Sequence, residues 1–208
     1  MSLSLHAVQH WVFDLDGTLT LPIHDFPAIR RALDIPPADD ILHHLAALPS
    51  AESAAKHAWL LEHERELALA ARPAAGALEL VRALQAQGCQ LAILTRNAHE
   101  LALITLNAIG LGACFAPKNI IGREQATPKP DPAGLLKIAA QWQVEPSALV
   151  MVGDYLFDLE CARAVGAQTI LVNQPENLWP AMTDLHSTDC TALLQQLDQF
   201  KAQTGLRC

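Results

Sequence analysis

The chain has 208 residues, of which 51% are hydrophobic, so it is long enough to bury a substantial core. Its formal net charge of −8 argues against a nucleic-acid-binding surface, because a phosphate polymer would be repelled. Apolar runs are too short or too interrupted by charge to span a bilayer. The N-terminal sequence does not show the basic region followed by an apolar core that is typical of a secretory signal. The five cysteines lack a CxxC spacing and are typical of reduced thiols. We therefore expect a cytoplasmic protein that binds neither nucleic acid nor membranes.

Short apolar runs alternate with helical patterns along most of the chain. The runs predict strands at His10–Phe13, Gln90–Leu94, Asn119–Ile121, Leu149–Val152 and Thr169–Val172. Between them the pattern predicts helices at Ala77–Gln87, Ala98–Ile109 and Leu156–Val165. Each of these helices is followed by a glycine in the position of a helix C-cap, and a last amphipathic helix is predicted at Thr191–Lys201. The alternation predicts an α/β fold with a Rossmann-like parallel sheet covered by helices on both faces.

The segment from about Leu21 to Ala74 interrupts this alternation, because it carries helical patterns and no strand pattern. The helices of this segment are predicted near Ala28–Leu33, Ala38–Leu48 and Ala51–Arg72. We therefore expect two units: an α/β core of residues 1–20 and 75–208, and a small all-helical cap of residues 21–74 inserted after the first strand. Pro22 and Pro73 lie close to the two expected hinges.

Two carboxylates follow the first predicted strand. Asp14 and Asp16 lie where the strand gives way to a turn, and Gly17 allows the backbone to bend there. Such a pair can bind a hard cation, attack a phosphorus atom and transfer a proton. An acidic turn without a function would show the same pattern, so the pair needs support from elsewhere in the chain.

The next two segments carry candidate phosphate-binding groups. Thr95, Arg96 and Asn97 follow the second strand, where a hydroxyl and the backbone amides of a helix start can bind a phosphate. A simple helix cap would give the same sequence. Lys129 lies between two prolines, whose stiff backbone would fix the direction of its charge. A rigid surface loop is the alternative explanation for that segment.

A second acidic pair lies near the end of the fourth strand. Asp154 ends the strand and Asp158 follows in the first turn of a helix, so both can converge on one cation. Asp158 would also suit a helix start without any ligand. Because ligands of parallel sheets bind at the carboxyl ends of the strands, Asp14, Thr95 and Asp154 are expected at one site. The nine histidines show no zinc-binding spacing.

The four segments in this order are DLDGTLT, LTRN, TPKPDP and GDYLFDLECARAVG, and together they resemble the four motifs of the haloacid dehalogenase superfamily. The resemblance extends from about Trp11 to Val172 and is strongest to the phosphoglycolate-phosphatase-like branch. Dehalogenases and phosphonate-cleaving members lack an aspartate at the position of Asp16, so the resemblance implies a phosphoester substrate. Tyr155 replaces the small residue that often follows the first acid of the fourth motif, which bears on the shape of the site mouth but not on metal binding.

The resemblance implies a Mg²⁺-dependent phosphatase that hydrolyses a small phosphomonoester, such as phosphoglycolate or a sugar phosphate. Asp14 would be the nucleophile that forms an aspartyl-phosphate, and Asp16 would act as general acid and then as general base. The implied metal ligands are Asp14 through its side chain, Asp16 through its backbone carbonyl, Asp154, and Asp158 either directly or through a bound water. The expected phosphate-binding residues are Thr95, Arg96, Asn97 and Lys129.

Substrate choice is expected to come from the cap. Polar candidates near its start are His24, Asp25, Arg30 and Arg31. Arg96 and Arg123 could reach an anionic leaving group, although all of these side chains would also suit a solvated surface. The expected partner is a small phosphorylated metabolite, bound by a monomer or a weak homodimer.

Two other functions fit part of the pattern. A phosphomutase of the same fold would keep every motif but retain the phosphoenzyme for a returning sugar. A signalling receiver domain has similar acids, a threonine and a lysine, but it lacks a helical insertion after the first strand.

Overall fold

The computed structural model describes residues 8–204 and contains a six-stranded parallel sheet. Its strands are β1 His10–Phe13, β2 Gln90–Leu94, β3 Ile120–Ile121, β4 Leu149–Gly153, β5 Gln168–Leu171 and β6 Leu185–His186. Their order across the sheet is β3-β2-β1-β4-β5-β6, with every neighbouring pair parallel. The predicted parallel α/β fold is therefore confirmed, and β1 lies at its centre.

Helices connect the strands and cover both faces of the sheet. Their bounds are α1 Phe26–Ala32, α2 Ile41–Ala46, α3 Ser50–Ala70, α4 Ala77–Ala86, α5 His99–Ala108, α6 Ala133–Trp142, α7 Leu156–Arg163 and α8 Cys190–Thr204. Trp11 and Phe13 of β1 pack into a core with residues of α4, α5 and α8. Val12 points to the opposite face and packs with residues of α6 and α7, because successive side chains of a strand alternate. None of the described helices combines the length and the apolar character that crossing a bilayer requires.

The helices α1–α3 lie between β1 and α4 and enclose a small core of their own. Its buried side chains are Ile29, Leu33, Ile35, Ile41, Leu45 and Leu60. The two segments that lead into and out of this unit run side by side, since the amide of Leu21 donates to the carbonyl of Arg72 and that of Ala74 to Leu19, each at 2.9 Å. We propose these segments as the hinges of a cap that spans residues 21–74.

The start of α2 and the last strand of the sheet differ from the sequence prediction. The predicted start of a helix at Ala38 is wrong, because Asp40 accepts a hydrogen bond from the amide of His43 and caps α2, which begins at Ile41. Strand β6 was not predicted, because its two half-buried residues, Leu185 and His186, form no apolar run.

Candidate active site

The carboxyl ends of β1, β2 and β4 meet beneath the helical cap and border one cavity of about 550 Å³. The amide of Asp14 donates to the carbonyl of Val152 at 2.9 Å, so the residue after β1 lies beside the end of β4. The amide of Thr95 extends the pairing of β2 by donating to Ile121 at 3.0 Å. Asp14, Thr95 and Asp154 all line the cavity, together with every other residue predicted for catalysis, phosphate binding or metal binding.

Lys129 joins two of the predicted acids. Its ammonium donates to Asp14 Oδ1 and to Asp158 Oδ1, each at 2.6 Å, and its side chain is only 2% exposed. Burial by itself would lower the pKa of Lys129, but the two carboxylates outweigh burial and raise the pKa above its ordinary value. The lysine is therefore a fixed cation at the base of the cavity.

Three carboxylates cluster around the same point. Asp14, Asp154 and Asp158 each offer an oxygen, and these oxygens all lie within 4.8 Å of one another. Burial, with the charges of Asp14 and Asp158, raises the pKa of Asp154 to about 7. Burial also raises the pKa of Asp158 to about 6, although Lys129 favours its ionised form. An all-oxygen cluster with excess negative charge fits a hard divalent cation such as Mg²⁺.

Neighbouring groups orient the cluster. The hydroxyl of Thr18 donates to Asp154 Oδ1 at 2.8 Å, and the amide of Tyr155 donates to Asp158 Oδ2 at 3.1 Å. Gly17 has a φ of +87°, and a Cβ atom at this position would lie 2.6 Å from Asp154 Oδ2. A glycine is therefore required in the turn, both for its conformation and for the close approach of the carboxylate.

The side chain of Asp16 lines the cavity but is not one of the three clustered carboxylates. Burial raises its pKa, and the Asp14 charge adds to this, against the opposing effects of His24 and Asn97. The amide nitrogen Nδ2 of Asn97 lies 3.4 Å from Asp16 Oδ2. A carboxyl group with a raised pKa next to a nucleophile is suited to carry a proton.

The residues after β2 form a compact turn. Thr95 Oγ1 accepts a hydrogen bond from the amide of Asn97 at 3.0 Å, and Asn97 Oδ1 accepts one from the amide of Ala98 at 2.8 Å. Both side chains are buried beside the start of α5. The Thr95 hydroxyl hydrogen has no acceptor among residues 8–204 and can be donated to a ligand.

Arg96 connects the core to the cap. Its guanidinium pairs with Asp40 at the start of α2 and donates to the backbone carbonyl of Lys129. It also lies 4.9 Å from the centre of the Phe157 ring. These contacts use two of the five N–H donors of Arg96, and its assignment to the phosphoryl group stays a prediction.

The four polar candidates of the cap separate into two groups. His24 and Arg30 line the cavity, where the Arg30 side chain donates to the carbonyl of Asp39. Asp25 instead caps α1 by accepting from the amide of Ala28, and Arg31 is exposed.

Glu64 of α3 lines the cavity and was missed by the sequence analysis. It forms an ion pair with Arg123 at 2.9 Å, and burial raises the pKa of Glu64 to about 7 against the effect of this arginine. The buried residues of α3 are Leu60, Glu64 and Ala68. Their spacing of four places Glu64 in the apolar row of the helix, which is the signal that could have identified it.

The four motifs and the geometry agree with comparisons to known proteins. A family model for haloacid dehalogenase-like hydrolases matches residues 8–166. A haloacid dehalogenase-like hydrolase domain-containing protein of Arabidopsis thaliana is 30% identical over 181 residues, which is 81% of this chain and 72% of the relative. A phosphoglycolate phosphatase of Rhodospirillum rubrum is 30% identical, with 78% of each chain covered. An N-acetylmuramic acid 6-phosphate phosphatase of Pseudomonas aeruginosa is 28% identical over 77% of this chain and 80% of its own.

The fold agrees as well. The crystal structure of a hydrolase from Pseudomonas syringae superposes with a TM-score of 0.77 at 24% identity, covering 92% of this chain and 98% of that one. The sequence matches and the parallel sheet with its helical insertion lead to one conclusion. The chain belongs to the haloacid dehalogenase-like hydrolase family.

Proposed function

We propose that this hydrolase is a Mg²⁺-dependent phosphatase that transfers the phosphoryl group of a small phosphomonoester to Asp14 and then to water. The observation that carries the proposal is the division of the carboxylates: Asp14 belongs to the buried cluster with Asp154 and Asp158, whereas the Asp16 side chain stands apart from it. Asp14 can therefore act as the nucleophile, and Asp16 can act as the general acid and base. The names of the relatives support a phosphomonoester, since one acts on phosphoglycolate and another on a sugar phosphate.

The reaction proceeds in two displacements. An Asp14 oxygen attacks phosphorus, the bond to the alcohol oxygen breaks, and Asp16 gives its proton to the departing alkoxide. Asp16, now a carboxylate, removes a proton from water, and the resulting hydroxide attacks the phosphorus of the aspartyl-phosphate. Inorganic phosphate leaves, and both aspartates return to their initial states.

The phosphoryl oxygens are bound by donors that the protein leaves available. Lys129 has three N–H donors, of which Asp14 and Asp158 use two, so one remains for a phosphoryl oxygen. The Thr95 hydroxyl and the Asn97 side chain supply neutral donors on the other side. These groups would stabilise the charge that develops on the phosphoryl group during transfer.

Mg²⁺ would be held by the side chains of Asp14, Asp154 and Asp158, with the Asp16 carbonyl as the further ligand that the family implies. When bound, it would offset the like charges of the nucleophile and the phosphoryl oxygens. The chain's own residues hold these carboxylates in place, because Lys129 and Thr18 orient them.

A rapid-quench experiment with labelled substrate tests the proposal and separates it from a phosphomutase. We expect wild type to accumulate little phosphoenzyme, and Asp14→Asn to lose hydrolysis of p-nitrophenyl phosphate while remaining folded. Asp16→Asn should not hydrolyse alkyl phosphate esters. It should retain part of the first step with p-nitrophenyl phosphate, because the nitrophenolate leaving group needs less protonation. A wild-type phosphoryl adduct that survives for minutes in water would favour the mutase instead. The helices α1–α3, which follow β1 directly, argue against a receiver domain, because receivers have no such insertion.

A further inference from the structure

The cavity extends away from Asp14 to an ion pair between the cap and the core. Arg123 Nη1 lies 2.9 Å from both carboxylate oxygens of Glu64, and each side chain is 11% exposed. The arginine donates a hydrogen bond to Oε1 only. The other oxygen, Oε2, is buried and accepts no hydrogen bond from any described residue.

Oε2 keeps the charge of Arg123 beside it but receives no directed hydrogen bond, so the hydration that it loses on burial is only partly replaced. Glu64 lines the same cavity as Asp14 and Asp16, the residue proposed to protonate the leaving group. A hydrogen-bond donor on that leaving group would satisfy Oε2. We therefore expect the missing hydrogen bond to Oε2 to come from a bound ligand and not from another residue of the protein.

The charges around the cavity indicate what kind of donor this is. Its three arginines already have acceptors: Arg96 has Asp40, Arg123 has Glu64, and Arg30 has the carbonyl of Asp39. A guanidinium has five N–H donors, so these contacts do not close the arginines to a ligand, but a carboxylate on the leaving group has no hydrogen to give to Oε2 and would lie beside the like charge of Glu64. An ammonium group would gain little from Glu64, because Arg123 already balances its charge. A neutral hydroxyl is the donor that fits without breaking either ion pair.

We infer that Glu64 is a specificity-determining residue whose Oε2 accepts a hydrogen bond from a hydroxyl group of the leaving alcohol. The substrate is then the phosphomonoester of a polyhydroxy alcohol, and phosphoglycolate, whose leaving group carries a carboxylate, is disfavoured. A cavity of about 550 Å³ is large enough for a leaving group of this size. This inference rests on the proposed phosphatase activity and narrows its substrate class.

The test compares kcat/KM for glycerol phosphate, a hexose 6-phosphate, phosphoglycolate, phosphoethanolamine and p-nitrophenyl phosphate. Wild type should prefer the hydroxylated esters to phosphoglycolate and phosphoethanolamine. In Glu64→Leu, the ratio of kcat/KM for the best hydroxylated ester to that for p-nitrophenyl phosphate should fall by roughly tenfold or more, the range expected for a hydrogen bond to a charged group. Glu64→Gln keeps a carbonyl acceptor and should lose less. Both variants remove the Glu64 charge and leave Arg123 with the more distant Glu124, at 4.0 Å, so phosphoglycolate should gain relative to the hydroxylated esters.

Glu62→Gln is the matched control, because Glu62 lies on the same helix, is exposed and, within the part of the chain that the structure describes, pairs only with Arg65. Its substrate ranking should equal that of wild type. If Glu64→Leu does not fold, as judged by circular dichroism, the wild-type ranking and Glu64→Gln still decide the question. The inference would be overturned if the wild type preferred phosphoglycolate or phosphoethanolamine, or if the ratio of kcat/KM for the hydroxylated ester to that for p-nitrophenyl phosphate were unchanged in the folded Glu64 variants. Hydrolysis of p-nitrophenyl phosphate would still support the proposed phosphatase activity in that case. Absence of all hydrolysis would overturn both.

Discussion

Replacing Lys129 by methionine should destabilise the protein, because the clustered carboxylates would then repel one another without a compensating cation. Methionine keeps much of the length of the lysine stem but removes the ammonium, which lies 2.6 Å from both Asp14 and Asp158. Removing one partner of a buried ion pair costs about 3–5 kcal/mol, because the remaining charge is buried without compensation. We expect Lys129→Met to lose stability of this order at pH 8 in the presence of chelator.

The loss should depend on pH in a defined direction. In the wild type, the pKa of Asp154 is about 7 and that of Asp158 about 6, above their ordinary value of 3.8, and Lys129 lowers both. Without the lysine these pKa values rise further, so the native state binds protons that the unfolded state has already released. Stability then falls as pH rises from about 4 through the native pKa values. The deficit of Lys129→Met relative to wild type should therefore be small at pH 5 and large at pH 8.

Urea unfolding followed by circular dichroism measures both quantities. Lys137→Met is the matched control, because Lys137 is exposed and, among residues 8–204, donates only to the carbonyl of Gln125. Its effect should stay within about 0.5 kcal/mol, as for most surface substitutions. Mg²⁺ should restore part of the loss at pH 8 by binding the same carboxylates. The reasoning would be refuted if Lys129→Met matched the control at pH 8, or if its deficit were the same at both pH values.

Three further predictions concern the metal, the last residue of β4 and the cap. Turnover should require Mg²⁺ and stop on chelation, and Ca²⁺ should not replace it, because its longer bonds and larger ligand number disturb the in-line geometry; full activity after exhaustive chelation would contradict this. In Gly153→Ala, the added Cβ would lie 2.2 Å from Asp158 Cγ, so we expect a loss of about 1–3 kcal/mol in urea unfolding and weaker Mg²⁺ binding by titration. Burial raises the pKa of Glu64 from an ordinary 4.5 to about 7, so the free energy of unfolding of the wild type, measured in urea, should fall by up to about 3 kcal/mol between pH 4 and pH 8. Glu64→Gln should not show this part of the fall. A difference between these two proteins that stays constant with pH would show that folding does not shift the pKa of Glu64.

The sheet and the placement of the motifs could be predicted because their signals are local. An apolar run followed by an acid or a hydroxyl marks the end of a buried strand, and this pattern places Asp14, Thr95 and Asp154 at one edge of a parallel sheet. The glycines after α4, α5 and α7 mark the helix ends in the same way, and all have the positive φ of a C-cap. Such signals need only a few neighbouring residues.

The contacts between the cap and the core could not be predicted in this way. Arg96 and Asp40 are 56 residues apart, and Arg123 and Glu64 are 59 apart. No local pattern pairs a particular arginine with a particular acid over such distances. The position of the cap decides the pairing, and it depends on the packing of α3 against α5 through Leu101 and its apolar neighbours.

These long-range contacts join the two parts of the site that the sequence keeps separate. Arg96 binds Asp40 of the cap with one nitrogen and the carbonyl of Lys129 with another, and the side chain of Lys129 in turn holds Asp14. The cap is therefore connected through one arginine and one lysine to the carboxylate proposed as nucleophile. Since Glu64 and Arg123 join cap and core across the same cavity, any movement of the cap that admits a substrate must change the surroundings of both the leaving group and the lysine.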